Sequence, residues 1–372
     1  MTFITSLPIY TISSFGHNGI DWLHSLLDGH SKILIMPAFS FFRTLKLCKL
    51  KKNFSDEKMV KLLLNTLKND KSYQVRRRKF LFDQNQTAMF EKNLTEYMMS
   101  SNEKNKFKKL FYGIHYSYAK IYNIDIKNIK AIVVQEHVPF FNEEYIKLFN
   151  SRIIIMMRDP RAAISGSIRA MTRVQDDNEL NAHDFNFIIL IWLYSRKCTK
   201  EIKKLKKNSI YFMKNEEMHQ DLKSEMTELL SWMNLSFENI NLKETILKET
   251  WHGESAYLEV NNENDLVDQV PSNYYNIVEV EKRWRKYLSK NLINMVEKIC
   301  FQEMKKFNYK FDFSFNIINY CKAYFFYFTI FQKIDLKKTP LYWRILQIIK
   351  EKIVRILIII NPRLTINIFK RK

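Results

Sequence analysis

The sequence is poor in glycine and proline, with six and seven residues among 372, and this scarcity argues against a loop-rich all-β protein. Its four cysteines are widely spaced and form neither a C-x-x-C pair nor a cluster with histidine, so we expect no disulfide framework and no metal site. The chain does not open on a basic segment followed by a cleavable apolar one, and no apolar run reaches the roughly 18 residues of a membrane span. These absences predict a cytoplasmic protein.

Positive charge is in excess, since 60 Lys and Arg residues oppose 39 Asp and Glu residues and give a net charge of +21. Such a surplus suits a nucleic acid, an anionic membrane surface or a phosphate-bearing ligand, and it also arises from a solvated basic surface. The sequence contains no helix-turn-helix spacing, no aromatic RNA-binding segment and no zinc-finger ligands. We therefore expect no nucleic acid partner.

The first of two informative stretches lies near the start of the chain. Ile9 to Ile12 predicts a buried strand, Gly16 and Gly19 allow a sharp turn, and Ile20 to Leu27 predicts an apolar helix. The first N–H groups of such a helix have no acceptor within the helix and point back at the turn. This arrangement is typical of an anion-binding loop.

The second stretch lies in the middle of the chain, where the strand Arg152 to Met157 runs into a helix. Asp159 suits the N-cap position and Pro160 the first helical position, which leaves Arg158 at the carboxyl end of the strand. Ligands of open parallel sheets bind at this edge, and a guanidinium group forks onto phosphate better than an ammonium group. The alternative for Arg158 is an ion pair with a nearby acid such as Asp159.

Further strand signals alternate with helical ones, at about 8–13, Ile33 to Met36, Ala131 to Val134 and Ile210 to Met213. The segment 41–123 between them is charged and helical in period, and it predicts a helical insert. We predict an α/β protein with a P-loop-like three-layer fold, in which helices flank a central parallel sheet. Residues 1–312 form one catalytic domain, and residues 313–372 form a helical C-terminal extension.

The C-terminal extension combines aromatic and branched apolar residues with positive charge. Between Asp312 and Lys372, twelve Lys and Arg residues oppose three acidic ones. From Leu341 to Ile360, polar residues recur every three or four positions and predict an amphipathic helix with a basic face, at Arg344, Gln347, Glu351 and Arg355. This helix either packs on the domain or on a second subunit of a homo-oligomer, or anchors the protein peripherally at the inner face of an anionic membrane.

Five motifs, in order along about residues 8–312, resemble the sulfotransferases that use 3′-phosphoadenosine 5′-phosphosulfate (PAPS). His17 to Leu23 resembles the family's strand–loop–helix K/R-S-G-T-T-W-L, and Arg158 to Arg161 resembles its strand ending R-D/N-P-K/R. The other three similar segments are Gln135 to Pro139, Asn215 to Leu235, and Trp284 to Ser289 with Phe307 to Tyr309.

The resemblance implies transfer of a sulfuryl group from PAPS, as a co-substrate, to a hydroxyl group. The basic aromatic extension and the large insert predict that the acceptor is a carbohydrate or glycolipid. The resemblance also implies that Arg158 binds the 3′-phosphate together with a serine. Ser165 is the first choice for this serine and Ser167 is the second. His137 is the implied base, with Glu136 in reserve, and His17 is a further catalytic candidate. The loop implied to bind the 5′-phosphosulfate comprises Gly16, His17, Asn18, Gly19, Ile20, Asp21 and Trp22.

The sequence departs from the family pattern in the first loop. The family's lysine or arginine is replaced by His17, and its two hydroxyl residues are replaced by Ile20 and Asp21. Two other functions therefore stay open. One is a nucleoside or sugar kinase, which the absence of G-x-x-x-x-G-K-S/T disfavours. The other is a non-catalytic binding or scaffolding protein that retains the fold.

Overall fold

The computed structural model describes residues 3–37, 39–69, 74–75, 79–80, 82–172, 182–205, 209–247, 249–250, 277–314, 316–329, 341–363 and 365. The described strands are β1 (Ile9–Ser14), β2 (Ile33–Ile35), β3 (Gln74–Val75), β4 (Lys79–Phe80), β5 (Ala131–Glu136), β6 (Arg152–Met157), β7 (Ile210–Lys214), β8 (Thr245–Ile246) and β9 (Glu249–Thr250). The described helices are α1 (Ile20–Asp28), α2 (Phe41–Leu47), α3 (Asp56–Asn69), α4 (Gln84–Ser100), α5 (Lys106–Ile121), α6 (Asn142–Phe149), α7 (Pro160–Thr172), α8 (Ala182–Leu205), α9 (Asn215–Gln220), α10 (Leu222–Trp232), α11 (Ile277–Lys282), α12 (Lys290–Ile299), α13 (Phe301–Lys306), α14 (Ile317–Thr329) and α15 (Leu341–Ile360).

Five strands form a parallel sheet in the order β2-β5-β1-β6-β7. The central strand β1 pairs Thr11 with Val134 of β5 on one side and with Ile153 of β6 on the other. The chain leaves β1 towards β2, returns to β5, and then crosses β1 to reach β6. Ligands of open α/β sheets bind where connections diverge in this way, outside the carboxyl ends of the strands.

Helices cover both faces of this sheet because side chains of a strand alternate between its two faces. On one face, Tyr10 and Ile12 pack with α1 and α10. On the other face, Ile9 packs with the helices between residues 41 and 121, and Ile153 packs with α7, α8 and α12. The predicted α/β fold, with a central parallel sheet flanked by helices, is confirmed.

The five strands of the sheet lie within two residues of the positions that the sequence predicts for them. The segment 41–123, predicted as a helical insert, contains α2 to α5 and the short antiparallel pair β3–β4. Its apolar side chains join those of β2 and β5 in one continuous cluster. The segment therefore packs on the β2 side of the sheet.

Two helices of the C-terminal extension contact the rest of the protein, α14 against α12 and α15 against α8. Tyr327 and Ile358 are fully buried in the cluster under α7 and α8. Arg355 is also fully buried, and its Nη1 atom donates to the carbonyl oxygen of Tyr327. Arg355, predicted on a basic face, thus belongs to the face that packs on the protein; the side chains of Arg344, Gln347 and Glu351 lie outside the described ones.

Candidate active site

The loop between β1 and α1 turns sharply at its two glycines. Gly16 has φ +136° and Gly19 has φ +88°, a left-handed region that other residues rarely adopt. A Cβ atom on Gly19 would clash with the side-chain amide of Asn215, at the start of α9. Glycine at this position therefore permits both the turn and the close approach of α9.

Two hydrogen bonds fasten the loop to the neighbouring strands. The Ser14 hydroxyl donates to the carbonyl oxygen of His137, 3.0 Å away, just beyond β5. The buried Asn18 amide donates to the carbonyl oxygen of Met156 in β6, at 3.1 Å. The first N–H groups of α1, from Ile20 to Trp22, have no acceptor within the helix and are available to an anion in the loop.

Arg158 lies half-buried at the carboxyl end of β6, as the sequence predicts. Its Nε atom is buried, and it has no hydrogen-bond acceptor among the described residues. Within the same part of the chain, no carboxylate forms an ion pair with this guanidinium group. A buried donor without an acceptor is destabilising, so this arginine is suited to receive an anionic ligand.

Asp159, the acid weighed as an alternative partner of Arg158, pairs with Arg161 instead. Arg161 approaches its carboxylate with Nε at 2.9 Å and Nη2 at 2.6 Å. The Nη1 atom of the same guanidinium lies 2.7 Å from the fully buried Glu297, which also accepts the N–H groups of Asp312 and Phe313. The acids around Arg161 are thus occupied, and Arg158 is left for a ligand.

Glu216, at the start of α9, supports the turn that carries Arg158. Its carboxylate accepts the N–H group of Asp159 at 2.8 Å and the hydroxyl of Tyr309 at 3.0 Å. Burial raises the pKa of Glu216, and the nearby positive charge of Arg158 acts in the opposite direction. Glu216 therefore holds the backbone immediately after Arg158.

The two serines of α7 have different surroundings. Ser165 is almost fully buried, and its hydroxyl has no partner among the described residues. Ser167 donates to the carbonyl oxygen of Ala163 and lies beside the loop, with its hydroxyl 3.3 Å from the position of a Cβ atom on Gly16. The structure brings Ser167, the second choice from the sequence, next to the anion loop.

Two exposed histidines, His17 and His137, lie at the carboxyl edge of the sheet. They are close enough to each other and to Arg158 for their charges to interact. Protein atoms packed around the His17 ring lower its pKa, Asp21 opposes this effect, and His137 and Arg158 reinforce it. The net effect lowers the pKa of His17 in the free protein, which disfavours its cationic form.

We expect donor affinity to depend on the protonation of His17. A bound phosphate raises its pKa, so binding takes up a proton and should weaken as the pH rises from about 6 to about 8. His17→Lys keeps its charge throughout this window and should bind 3′-phosphoadenosine 5′-phosphate more tightly at the upper end. Calorimetry on both proteins measures the affinity at each pH, and the comparison cancels the protonation of the nucleotide's own phosphates. If the affinity of both proteins changed equally with pH, His17 would have no role in donor binding.

Asp21 is exposed and held by a neutral partner. The Nε2 atom of Gln135, in β5, donates to its Oδ1 atom at 2.5 Å. This bond fixes the carboxylate without neutralising it, so its negative charge remains beside the anion loop. Two unit charges of the same sign about 4 Å apart repel by about 1 kcal/mol in bulk water, which is the lower limit for a phosphate at this distance from Asp21.

Asp21→Asn is expected to increase the affinity for 3′-phosphoadenosine 5′-phosphate about fivefold, because it removes this repulsion and keeps an acceptor for Gln135. Glu57→Gln is a matched control, since Glu57 is also an exposed acid in the first turn of a helix, α3. Titration calorimetry at low salt measures both. An unchanged affinity in Asp21→Asn would mean that the carboxylate does not face the ligand.

Glu136, the reserve candidate for the base, is buried within the protein. Its carboxylate accepts the hydroxyl of Ser40 at 2.6 Å and that of Tyr145 at 2.8 Å. Burial raises the pKa of Glu136 to about 7. These bonds connect the end of β5 to α2 and α6, whereas His137, the next residue, reaches the surface.

Trp22 forms an aromatic wall beside the loop with a residue that the sequence analysis overlooked. Its ring stacks on His219 with centroids 4.3 Å apart, and its Nε1 atom donates to Glu244 at 3.0 Å. Burial lowers the pKa of His219 to about 4, and Arg158 and Arg283 contribute in the same direction. His219 and Asn215 follow β7, so the rule that ligands bind at carboxyl ends of strands could have identified them.

The part of the chain that the structure describes contains no group of three or more His, Cys, Asp or Glu residues arranged to hold a metal ion. In the same residues, no helix is long and apolar enough to cross a membrane.

No family model matches the sequence, and no curated protein matches it. Among solved structures, the chain is similar to the sulfotransferase domain from the curacin biosynthetic pathway, with 16% identity and a TM-score of 0.47 over 82% of this chain and 99% of that one. It is also similar to the sulfotransferase domain from the Synechococcus PCC 7002 olefin synthase, with 13% identity and a TM-score of 0.45 over 82% of this chain and 95% of that one. A third similar structure is sulfotransferase STF9 from Mycobacterium avium, with 11% identity and a TM-score of 0.38 over 82% of this chain and 78% of that one. All three are described as sulfotransferases, the family that the sequence motifs resemble.

Proposed function

We propose that the protein is a sulfotransferase that transfers a sulfuryl group from PAPS to a hydroxyl group of a carbohydrate or glycolipid. The observation that carries this proposal is the guanidinium group of Arg158, which lies beside a glycine-containing anion loop and has no ion-pair partner among the described residues. One PAPS molecule would place its 3′-phosphate on Arg158 and its 5′-phosphosulfate in the loop.

The donor-binding residues divide into two groups. In the first, the N–H groups of Ile20 to Trp22 hold the 5′-phosphosulfate, since the turn at Gly19 directs the start of α1 at it. In the second, Arg158 and a serine of α7 hold the 3′-phosphate. Both serines stay candidates, because the buried hydroxyl of Ser165 has no partner among the described residues and the hydroxyl of Ser167 lies next to the loop.

The chemistry requires little from the protein beyond charge stabilisation and a base. The acceptor oxygen forms a bond to sulfur while the bond between sulfur and the bridging phosphate oxygen breaks. Negative charge develops on that bridging oxygen, where N–H donors from the loop stabilise it in the transition state. His137 accepts the proton of the acceptor hydroxyl, and 3′-phosphoadenosine 5′-phosphate departs.

The acceptor class rests on two features of the chain. The C-terminal extension is basic and aromatic, which suits a membrane where lipid-linked glycans reside. The segment 41–123 begins beside the strand that carries His137, because Ser40 and α2 contact the end of β5. It is positioned to border an acceptor near this histidine.

Two measurements test the proposal. Thermal unfolding should shift upward with 3′-phosphoadenosine 5′-phosphate, less with adenosine 5′-phosphate, and least with ATP and Mg²⁺. Radiolabelled PAPS incubated with carbohydrates, glycolipids and simple phenols should then label the first two classes. A larger shift with ATP and Mg²⁺ would favour a kinase and would overturn the proposal.

A binding protein without turnover is a second candidate, favoured by the lowered pKa of His17 and by the carboxylate of Asp21 beside the loop. It would show the thermal shift with 3′-phosphoadenosine 5′-phosphate and no labelled product with any acceptor. The two measurements together therefore separate the sulfotransferase, the kinase and the binding protein.

A further inference from the structure

Helix α15 presents a row of isoleucines to the outside. Ile349, Ile353, Ile356 and Ile360 are 48%, 51%, 44% and 74% exposed. Their spacing of four, three and four residues places them on one side of the helix, along about 16 Å of its length. We call these four residues the isoleucine stripe.

The opposite side of α15 packs on the protein, and it contains a charged residue. Arg355 and Ile358 are fully buried, and the guanidinium of Arg355 donates to the carbonyl oxygen of Tyr327. A surface helix normally buries its apolar side and exposes its charges, whereas α15 buries Arg355 and exposes four isoleucines. The orientation of α15 therefore leaves a continuous apolar surface for another partner.

Charge distinguishes between the possible partners. Exposed cations flank the stripe, with Lys352 between its isoleucines and Arg363 beyond its end. Residues 312–372 carry nine more basic than acidic residues, and the whole chain carries +21. A second copy would bring the same positive charge against this surface, whereas an anionic lipid surface attracts it.

We propose that the isoleucine stripe docks on an anionic lipid surface, with α15 parallel to the plane of the membrane. The isoleucines enter the boundary between headgroups and acyl chains, and Lys352 and Arg363 contact lipid phosphates. This docking uses no residue of the candidate active site, so it can be tested apart from sulfuryl transfer; it bears only on the proposed glycolipid acceptor.

The test uses the full-length chain, because Tyr327 and Ile358 belong to the core and removal of the extension would disturb it. The protein is sedimented with phosphatidylcholine vesicles, with and without phosphatidylglycerol, in the absence of nucleotide. Wild type should sediment with the anionic vesicles and more weakly as salt increases. Ile353→Ser combined with Ile356→Ser should reduce the affinity at least about tenfold.

Met89→Ser combined with Met99→Ser is the matched control, because these two residues of α4 are 50% and 63% exposed and lie outside the stripe. It should sediment like wild type, and thermal unfolding should show that both double variants are folded. Lys352→Glu provides a second variant, which should weaken binding at low salt and much less at high salt.

Three results would overturn the proposal. One is equal sedimentation of wild type and of the double isoleucine variant. Another is binding to neutral and anionic vesicles alike. The third is a wild type that does not bind vesicles and is a dimer in analytical ultracentrifugation, while the double isoleucine variant is a monomer. This result would make a second copy the partner. None of these results would affect the test of sulfuryl transfer.

Discussion

Replacement of His137 by alanine is expected to lower the rate of the chemical step by about 10²-fold or more and to leave donor affinity unchanged. The residue is exposed at the end of β5 and lies close to His17. Its backbone is held by the hydroxyl of Ser14, so removal of the side chain should not displace the loop. Single-turnover transfer from radiolabelled PAPS measures the rate, and calorimetry with 3′-phosphoadenosine 5′-phosphate measures the affinity.

His17→Ala is the informative comparison for this variant, because it should weaken donor binding as well. Retained turnover in His137→Ala would transfer the role of base to Glu136 or His17. Glu136→Gln would then distinguish these two. It keeps an acceptor for one of the hydroxyls of Ser40 and Tyr145 and abolishes proton uptake by the carboxylate.

Arg158→Ala is expected to weaken the binding of 3′-phosphoadenosine 5′-phosphate at least tenfold, since loss of a charge-assisted contact to phosphate costs about 1.5–3 kcal/mol. Adenosine 5′-phosphate lacks the 3′-phosphate and should bind almost as well as before. Parallel titrations of the variant with the two nucleotides give the comparison.

Arg152→Ala is the control for that experiment. Arg152 lies at the amino end of the same strand and is half-buried, with its guanidinium 3.7 Å from the centroid of the Trp232 ring. Its removal should leave both affinities unchanged. Equal losses for the two nucleotides in Arg158→Ala would show that this arginine does not recognise the 3′-phosphate.

The sequence predicted the sheet well, because its strands are short apolar runs bounded by turn residues, and all of them except the edge strand β7 are buried on both faces. The positions of Gly16, Gly19 and Arg158 followed from the same pattern, since a turn and a strand end are local features. The ion-pair partner of Asp159 did not follow from this pattern. Asp159 and Pro160 signal the start of a helix, but nothing in that signal selects Arg161 over Arg158 as the ion-pair partner.

Contacts between distant segments account for the rest of what the sequence did not show. The bond between Asp21 and Gln135 joins residues 114 positions apart, and Asn215 approaches Gly19 from another strand end. Helix α15 gives a further case. Its period predicted two unlike faces, but only packing against α8 determined that the face with Arg355 lies inside.

The ion pairs around Arg161 have a consequence for synthesis of the protein. Arg161 lies 136 residues before Glu297 and 151 before Asp312, and both contribute to the pocket of carboxylates that holds it. The turn that carries Arg158 thus receives its last supports only after the segment near Asp312 has left the ribosome. We expect a nascent chain ending before Glu297 to lack a stable nucleotide site, which a pulldown of stalled chains on immobilised 3′-phosphoadenosine 5′-phosphate would measure.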